Sequence, residues 1–192
     1  MMVHIETPSS FLHSHPFDMY SELLMRCMEE TREQLTEKPP IVVYGKPAKQ
    51  PRNVGFFSDE SIGYKYSRQM MPSMRMTGGL HILLQIVNEK FGASFNGILI
   101  NEYMNGDDNI GAHSDDEGSL DANGVVAISL GAVRKFRIRN KLTKEKVIDI
   151  PTTPFEILHM GGDFQKEFTH EIPVEKKVKT PRYSFTFRKH KE

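Results

Sequence analysis

The sequence of 192 residues contains one cysteine, Cys27, so no internal disulfide can form. Small disulfide-stabilised secreted folds are therefore disfavoured. Apolar runs such as residues 98–100 and 125–128 are far shorter than the roughly 20 residues of a membrane-spanning helix. Residues 1–17 lack the basic and apolar regions of a signal peptide. We therefore expect a soluble, intracellular protein without membrane association, in either the nucleus or the cytoplasm.

The sequence also lacks an excess of charge of either sign, since 25 basic residues balance 25 acidic ones. No overall field draws such a chain to an anionic polymer, so binding to nucleic acid requires local basic patches. Two clusters of basic residues meet that requirement: Arg134, Lys135, Arg137, Arg139, Lys141, Lys144 and Lys146, and then Lys176, Lys177, Lys179, Lys189 and Lys191. We interpret the first cluster as a phosphate-binding surface, although charged strand edges that prevent aggregation show the same pattern. No protein partner is evident, and we expect a monomer.

The order of the predicted elements indicates a mainly β fold of the α+β class. Helical spacing of apolar residues predicts helices over residues 16–37 and 80–91, the second of which ends at Gly92. Short segments bounded by glycine, asparagine and aspartate predict strands at residues 98–103, 124–130, 135–139, 146–150, 155–160, 167–172 and 182–188. Because no helices separate these strands, an antiparallel sandwich or barrel is favoured over a parallel sheet.

The length of the chain fits one domain over residues 1–192. Within it, we expect helices with short strands and loops between them over about residues 1–94 and the strand-rich core over about residues 95–192. Residues 1–15 have no periodicity, so they are predicted to form a loose terminus.

A histidine and an aspartate two positions apart, His113 and Asp115, lie in an acid-rich segment over residues 105–121. Side chains at i and i+2 point to the same side of an extended chain, so both can face one ion. A third ligand must come from another strand; His159 and His170 are the candidates, and His170 lies at the end of a predicted strand. Two histidines and one carboxylate leave three octahedral positions free, which suits a non-haem Fe(II) oxygenase, with zinc or manganese as alternatives. A solvated acidic loop with weak calcium affinity is the simpler interpretation.

Residues 182–188, with the sequence RYSFTFR, are the most informative segment. Alternation places three aromatic side chains on one face, and the other face carries Arg182, Ser184, Thr186 and Arg188. The two arginine Cα atoms are separated by roughly 20 Å of strand. Side chains that lean inward bring the guanidinium groups to roughly 8 Å, the span of a short dicarboxylate. Beside a metal triad, this strand predicts 2-oxoglutarate as co-substrate, although an outer strand with a wet face shows the same alternation.

Six parts of the chain match one family in both order and spacing: residues 95–103 (FNGILINEY), 111–117 (GAHSDDE), 126–131 (VAISLG) and 136–139 (FRIR), then His170 and residues 182–188. Together they resemble the AlkB family of Fe(II)/2-oxoglutarate-dependent nucleic-acid demethylases over about residues 95–189. Weaker matches upstream, at residues 42–46, 51–52 and 64–67, resemble the nucleotide-recognition lid of the nuclear DNA-repair members.

The resemblance implies a double-stranded β-helix, or jelly-roll, core with flanking N-terminal helices and a nucleotide-recognition lid. It implies that His113, Asp115 and His170 are the catalytic iron ligands. Six residues would bind 2-oxoglutarate: Asn101, Tyr103, Arg182, Ser184, Thr186 and Arg188. Five residues would contact the nucleic-acid substrate: Tyr44, Arg52, Tyr64, Tyr66 and Glu117. The family usually has asparagine where this chain has Ser184, which keeps a hydrogen-bond donor on a shorter side chain.

The implied reaction is oxidative demethylation of N-alkylated bases, such as 1-methyladenine and 3-methylcytosine, in methylated DNA or RNA. It uses O2 and 2-oxoglutarate, and it releases formaldehyde, succinate and CO2. Cationic methylated bases would be preferred because aromatic faces attract positive charge. Three alternatives stay open: an AlkB-type oxygenase that acts on RNA, protein or lipid; a nucleic-acid-binding module without turnover; and a small metal-dependent hydrolase.

Overall fold

The computed structural model describes residues 1–43, 45–61, 63–66, 69–115 and 123–190, and for residues 64–66 and 69 it describes the backbone only. Within these ranges the strands are β1 Met2–Glu6, β2 Ser10–Pro16, β3 Pro40–Val43, β4 Lys46–Lys49, β5 Asn53–Phe57, β6 Gly63–Tyr66, β7 Gln69–Pro72, β8 Gly97–Tyr103, β9 Ile110–His113, β10 Val125–Gly131, β11 Lys135–Asn140, β12 Lys146–Pro151, β13 Glu156–Gly162, β14 Phe168–Ile172 and β15 Arg182–Arg188. The helices are α1 Ser21–Thr31, α2 Gly78–Phe91 and α3 Phe164–Glu167, and 3₁₀ turns flank α1 at Asp18–Tyr20 and Arg32–Gln34. The prediction of a mainly β fold is confirmed.

Two antiparallel sheets face each other and form the core of the fold. The large sheet has the order β1-β2-β13-β10-β15-β8-β5, and the small sheet has the order β12-β11-β14-β9. A buried cluster that includes Leu158 of the large sheet and Ile138 and Ile172 of the small sheet fills the space between them. This arrangement is the predicted jelly-roll core. The hairpins β3–β4 and β6–β7 form separate two-stranded sheets.

Helices α1 and α2 cover the outer face of the large sheet. Leu24 of α1 and Leu83 of α2 are buried in one cluster with Ile100 and Phe185 of the sheet. The helices therefore bury the aromatic face of β15, which leaves its polar face turned toward the small sheet.

The two ends of α2 follow from the residues beside them. Thr77 Oγ1 accepts a hydrogen bond from the Leu80 N–H at 3.2 Å, and Gly92 has φ 58°, the left-handed conformation that ends many helices. The predicted helix and its end at Gly92 are confirmed. Helix α1 is shorter than the predicted 16–37, since 3₁₀ turns precede and follow it. No helix within the described ranges combines the length and the apolar composition that crossing a bilayer requires.

The N-terminal residues form a hairpin, so the prediction of a loose terminus over residues 1–15 is wrong. Strand β1 pairs with β2, and β2 pairs along its length with β13 of the large sheet. Leu12 and Ser14 point inward and are buried, whereas His13 and His15 lie half-buried on the opposite face. The period of two is present in the sequence, but polar side chains occupy both faces and hide it from a hydropathy pattern.

The basic cluster that we interpreted as a phosphate-binding surface is largely paired with acidic residues of neighbouring strands. Arg137 lies 2.7 Å from Asp149, and Arg139 lies 2.9 Å from Glu171. Arg134 is only 2% exposed, so the prediction that Arg134 contacts phosphate is wrong. The pairing partners arise from strand register, which the order of residues in the chain does not reveal.

Arg134 instead joins two loops, one between β8 and β9 and one after β14. Its guanidinium donates to the backbone carbonyls of Asn105, Asp108 and Pro173 at 3.0, 2.9 and 2.7 Å. Its Nε atom also donates to the Glu175 carboxylate at 3.2 Å. Because this guanidinium is buried, the three carbonyls depend on it for their hydrogen bonds.

The substitution Arg134→Met should therefore destabilise the protein by about 3 kcal/mol, since it leaves buried carbonyls and a carboxylate without their donor. Urea denaturation followed by circular dichroism measures the free energy of unfolding. Arg139→Met is the matched control: it removes a partly exposed ion pair and should cost less than about 1 kcal/mol. Equal losses in the two variants would contradict the structural role of Arg134.

Candidate metal and co-substrate site

Two neighbouring strands, and the segment that follows one of them, bring three candidate ligands together. His113 ends β9, and its cross-strand partner in β14 is His170. Asp115 Oδ2 is 3.5 Å from His170 Nε2, and Asp115 Oδ1 is 3.8 Å from His113 Nε2. One ligand atom from each of the three residues lies within 4.8 Å of the others. Such separations suit donors around one ion, where each metal–ligand bond is about 2.1 Å long.

The protonation states of these three groups suit a metal ion. Burial and the neighbouring His113 ring lower the pKa of His170 to about 3, and burial also lowers the pKa of His113. Burial alone would raise the pKa of Asp115, but the Arg188 guanidinium and the two imidazoles lower it to about 2. Neutral imidazoles and an ionised carboxylate are the forms that bind metals. The site is therefore ready to accept a cation near neutral pH without releasing a proton.

Hydrogen bonds orient the candidate ligands. His113 Nδ1 is 2.8 Å from the Gly111 carbonyl, which assigns the proton to Nδ1 and leaves the unprotonated Nε2 atom on the side of Asp115. Arg188 Nη2 donates to Asp115 Oδ1 at 3.1 Å. Two nitrogen donors and one oxygen donor fit Fe(II) and leave further coordination positions for other molecules. The residues present thus fit the metal that the sequence predicts.

His159, the other candidate for the third ligand, lies away from this site. Its Nε2 atom is 2.7 Å from the Asn123 carbonyl, and its ring packs edge-on against Phe11 and Phe91. These contacts account for a half-buried structural histidine. His170 is therefore the histidine that the fold brings to His113 and Asp115.

The polar face of β15 lines one wall of a cavity between the two sheets. The cavity is lined by all six residues that were predicted to bind 2-oxoglutarate: Asn101, Tyr103, Arg182, Ser184, Thr186 and Arg188. Arg188 contacts Asp115, so the arginine at the other end of the strand, Arg182, lies at the far end of the cavity from the candidate ligands. The predicted alternation of β15 is confirmed.

Arg182 is a buried guanidinium with neutral partners. Its Nε atom donates to Thr152 Oγ1 at 3.1 Å, and its Nη2 atom donates to Ser129 Oγ at 2.9 Å. Its Nη1 atom is buried with no hydrogen-bond partner among the described residues. The Tyr103 ring centroid lies 5.2 Å from the guanidinium carbon. Burial lowers the pKa of Arg182 to about 10, so the group stays charged at neutral pH and can receive a carboxylate.

Asn101 is held by a second buried arginine. Arg52 is 3% exposed and donates from Nε to Asn101 Oδ1 at 2.8 Å. Arg52 is thus buried against a residue that lines the cavity, and its predicted contact with nucleic acid stays a prediction. The predicted substrate residues Tyr44 and Glu117 lie outside the described residues. Tyr64 and Tyr66 belong to β6, but their side chains also lie outside the described part of the structure.

Three residues of the site were not predicted from the sequence. Ser129 and Thr152 accept hydrogen bonds from Arg182, and Gln165 accepts a hydrogen bond from the Asp115 N–H at 2.9 Å. Ser129 lies in the VAISLG segment, where alternation along β10 could have placed it on the cavity face. Thr152 and Gln165 lie outside the strands and carry no sequence signal of their role.

Comparisons with known proteins show which family this chain resembles. A family model described as the 2OG-Fe(II) oxygenase superfamily matches residues 17–188. The human DNA oxidative demethylase ALKBH2 is 32% identical over 157 residues, which cover 78% of this chain and 60% of that protein. The human alpha-ketoglutarate-dependent dioxygenase alkB homolog 3 is 34% identical over 149 residues, which cover 72% of this chain and 51% of that protein. The uncharacterized protein R406 of Acanthamoeba polyphaga mimivirus is 30% identical over 174 residues, which cover 89% of this chain and 87% of that protein.

A comparison of structures supports the fold alone. The solved structure of OsALKBH1 matches with a TM-score of 0.58 and 16% sequence identity, covering 97% of this chain and 100% of that chain. The matched part of this chain spans 60% and 51% of the lengths of the two human relatives.

Proposed function

This chain belongs to the 2OG-Fe(II) oxygenase superfamily and, within it, to the AlkB family, and from this premise we propose that it oxidatively removes methyl groups from nitrogen atoms of nucleic-acid bases. The proposed activity is that of a dioxygenase that depends on Fe(II) and 2-oxoglutarate. The observation that carries the proposal is one cavity with two features: three metal-type ligands at one end, and the buried, unpaired Nη1 atom of Arg182 at the other.

The proposed reaction has a simple atom balance. Bound Fe(II) would supply the chemistry by which O2 converts 2-oxoglutarate into succinate and CO2 and adds one oxygen atom to the methyl group. The resulting hydroxymethyl base loses formaldehyde and returns to the unmodified base. His113, Asp115 and His170 would hold the ion and leave three of about six coordination positions open.

Residues at the two ends of the cavity would orient the co-substrate by binding its two ends. We assign the distal carboxylate of 2-oxoglutarate to Arg182 and Tyr103, since a carboxylate there would receive the free Nη1 donor. Arg188 and Asn101 would hold the end nearest the ligands. Apolar lining residues such as Leu158 would exclude water from the oxidation.

The proposed substrate is a methylated base in DNA or RNA. One human relative is named a DNA oxidative demethylase. The methyl group of a stacked base is out of reach, so the base must be extruded or already single-stranded. Tyr64 and Tyr66 would stack on that base, which typically stabilises binding by about 1–3 kcal/mol per base. Tyr44 would probe the base stack, and Glu117 would favour cationic bases such as 1-methyladenine and 3-methylcytosine.

Contacts with phosphates would come from exposed lysines of the first basic cluster. Lys135 and Lys146 have side chains that are 52% and 54% exposed, in contrast to the largely buried Arg134. Their ammonium groups lie 3.7 Å from Glu175 and 3.9 Å from Asp149, respectively. Such exposed ion pairs are weak, so these lysines can pair with phosphates instead at low desolvation cost.

The test of this function is mass spectrometry of oligonucleotides after incubation with the Fe(II)-loaded protein, 2-oxoglutarate and O2. Matched single-stranded DNA, double-stranded DNA and RNA would each carry 1-methyladenine, 3-methylcytosine or N6-methyladenine. We expect a mass loss of one methylene group from the two cationic bases, with one formaldehyde and one succinate formed per base. N6-methyladenine should react more slowly because it is neutral.

The other outcomes are equally informative. Succinate formation without repair of any oligonucleotide would indicate an oxygenase with a different substrate. Tight binding of methylated oligonucleotides without succinate formation would indicate a binding module.

A further inference from the structure

A glutamine on the short helix α3 reaches the backbone of one candidate metal ligand. Gln165 is 4% exposed, and its side-chain Oε1 atom accepts a hydrogen bond from the Asp115 N–H at 2.9 Å. The two residues are 50 positions apart in the chain. This contact does not belong to the ladder of either sheet.

The contact occurs where regular strand pairing has ended. The pairing of β9 with β14 reaches His113, opposite His170, and Asp115 lies two residues beyond it. Ser114 Oγ donates to the Phe168 carbonyl at 2.8 Å, which holds the intervening residue. The Gln165 side chain then satisfies the next backbone N–H and fixes the direction from which the Asp115 carboxylate projects.

Gln165 has contacts of its own at both its backbone and its side chain. Its backbone carbonyl accepts a hydrogen bond from Lys141 Nζ at 3.0 Å, and its Nε2 atom lies 3.6 Å from Met160 Sδ. The preceding residue, Phe164, is completely buried between the sheets. Because these contacts fix the position of Gln165, its side chain can in turn fix the position of the Asp115 backbone.

The N-terminal hairpin clamps α3 from the outside. Glu167 accepts hydrogen bonds from the hydroxyl groups of Thr7, Ser9 and Ser10. In addition, the Asp163 N–H donates to the Ser9 carbonyl at 2.8 Å. A continuous set of contacts therefore runs from the β1–β2 turn through α3 to the backbone of Asp115.

We propose that Gln165 is a positioning residue, which aims the Asp115 carboxylate at the metal by holding the Asp115 backbone. The proposal rests on the metal centre of the proposed function and adds a residue to it. Partners of metal ligands typically change metal affinity by about 10- to 100-fold when they are removed, because the ligand loses its orientation. Arg188 holds Oδ1 of the carboxylate, and Gln165 holds the main chain that carries it.

The test is anaerobic titration of the metal-free protein with Co(II), followed by its visible absorption bands, in wild type and Gln165→Met. Methionine has nearly the length of glutamine but provides no comparable acceptor. We expect the dissociation constant for Co(II) to rise about 10- to 100-fold and the bands to change shape. Gln165→Glu keeps an oxygen acceptor at the same position and should bind Co(II) more tightly than Gln165→Met.

A matched control separates positioning from general destabilisation. Thr31 is fully buried in α1, and its hydroxyl group donates to the Cys27 carbonyl at 2.7 Å, remote from the site in sequence and on the far side of the large sheet. Thr31→Val should lower the melting temperature and leave the Co(II) dissociation constant unchanged. Amide hydrogen exchange of the metal-free wild type gives a further measurement that needs no substitution: the Asp115 amide should exchange slowly.

The outcomes distinguish this proposal from the one on which it rests. A folded Gln165→Met variant that binds Co(II) within about twofold of wild type, with the same bands, overturns the positioning role and leaves the metal centre intact. Rapid exchange of the Asp115 amide also overturns it, even if Gln165→Met does not fold. A wild-type protein that binds neither Co(II) nor Fe(II) refutes the metal centre itself.

Discussion

Replacement of Asp115 by alanine should abolish metal binding and turnover, and it should also destabilise the metal-free protein by about 3 kcal/mol. The first effect follows because Asp115 is the one carboxylate of the candidate triad. With two imidazoles alone, the site loses its anionic donor and most of its affinity for a hard divalent cation.

The second effect follows from the surroundings of Asp115 in the absence of metal. Its carboxylate and the Arg188 guanidinium are both buried, and they are 3.1 Å apart. Removal of one partner leaves the other charge buried without this counter-ion, which usually costs about 3–5 kcal/mol. Asp115 thus stabilises the fold before it binds any metal.

Urea denaturation of the chelator-treated protein measures this loss, and Co(II) titration measures the loss of affinity. The double variant Asp115→Ala/Arg188→Met is the control, since it removes both charges and should regain much of the lost stability. If Asp115→Ala is as stable as wild type without metal, the buried pair with Arg188 contributes no stability. If it retains tight metal binding, the assignment of Asp115 as a ligand is wrong.

The sequence predicted those parts of the fold and site that depend on local periodicity. The alternation of β15 alone placed Arg182 and Arg188 on a face opposite three aromatic side chains, as the structure has it. The end of α2 at Gly92 followed from the conformational freedom of glycine. His113 and Asp115 were predicted as a ligand pair because they are two positions apart, which places both side chains on the same side of an extended chain.

Features that depend on register between distant strands could not be predicted in this way. Residue spacing left the third candidate ligand open between His159 and His170, and only the family resemblance selected His170. In the structure, the pairing of β14 with β9 is what brings His170 opposite His113. Arg134 was interpreted as a surface charge for the same reason. Its partners come from loops around residues 105–108 and 173–175, which are separated from it in sequence by tens of residues.

Replacement of Arg182 by methionine should have the opposite effect on stability to the replacement of Arg134, although both arginines are buried. Arg134 donates to three carbonyls and a carboxylate. The polar side chains that contact Arg182 carry hydroxyl groups instead, and no carboxylate forms an ion pair with it among the described residues. An unpaired buried charge is costly, as the lowered pKa of Arg182, about 10, also indicates. We therefore expect Arg182→Met to leave the ligand-free protein as stable as wild type, or more stable by about 1 kcal/mol.

The same substitution should greatly reduce the response to 2-oxoglutarate, because it removes the buried guanidinium that would bind the distal carboxylate. In wild type, co-substrate at 100 times its dissociation constant should stabilise the protein by about 2.7 kcal/mol. Loss of a buried, charge-assisted pair costs about 2–5 kcal/mol of binding energy, so the affinity of Arg182→Met should fall by at least about 30-fold.

Thermal unfolding with and without 2-oxoglutarate, in the presence of Mn(II) to prevent turnover, measures both effects. Arg182→Lys keeps the charge without the forked donor geometry and should recover only part of the response. Two results would contradict this role: Arg182→Met could lose as much stability as Arg134→Met, or it could respond to 2-oxoglutarate as wild type does. Either result would show that Arg182 stabilises the fold and does not bind the co-substrate.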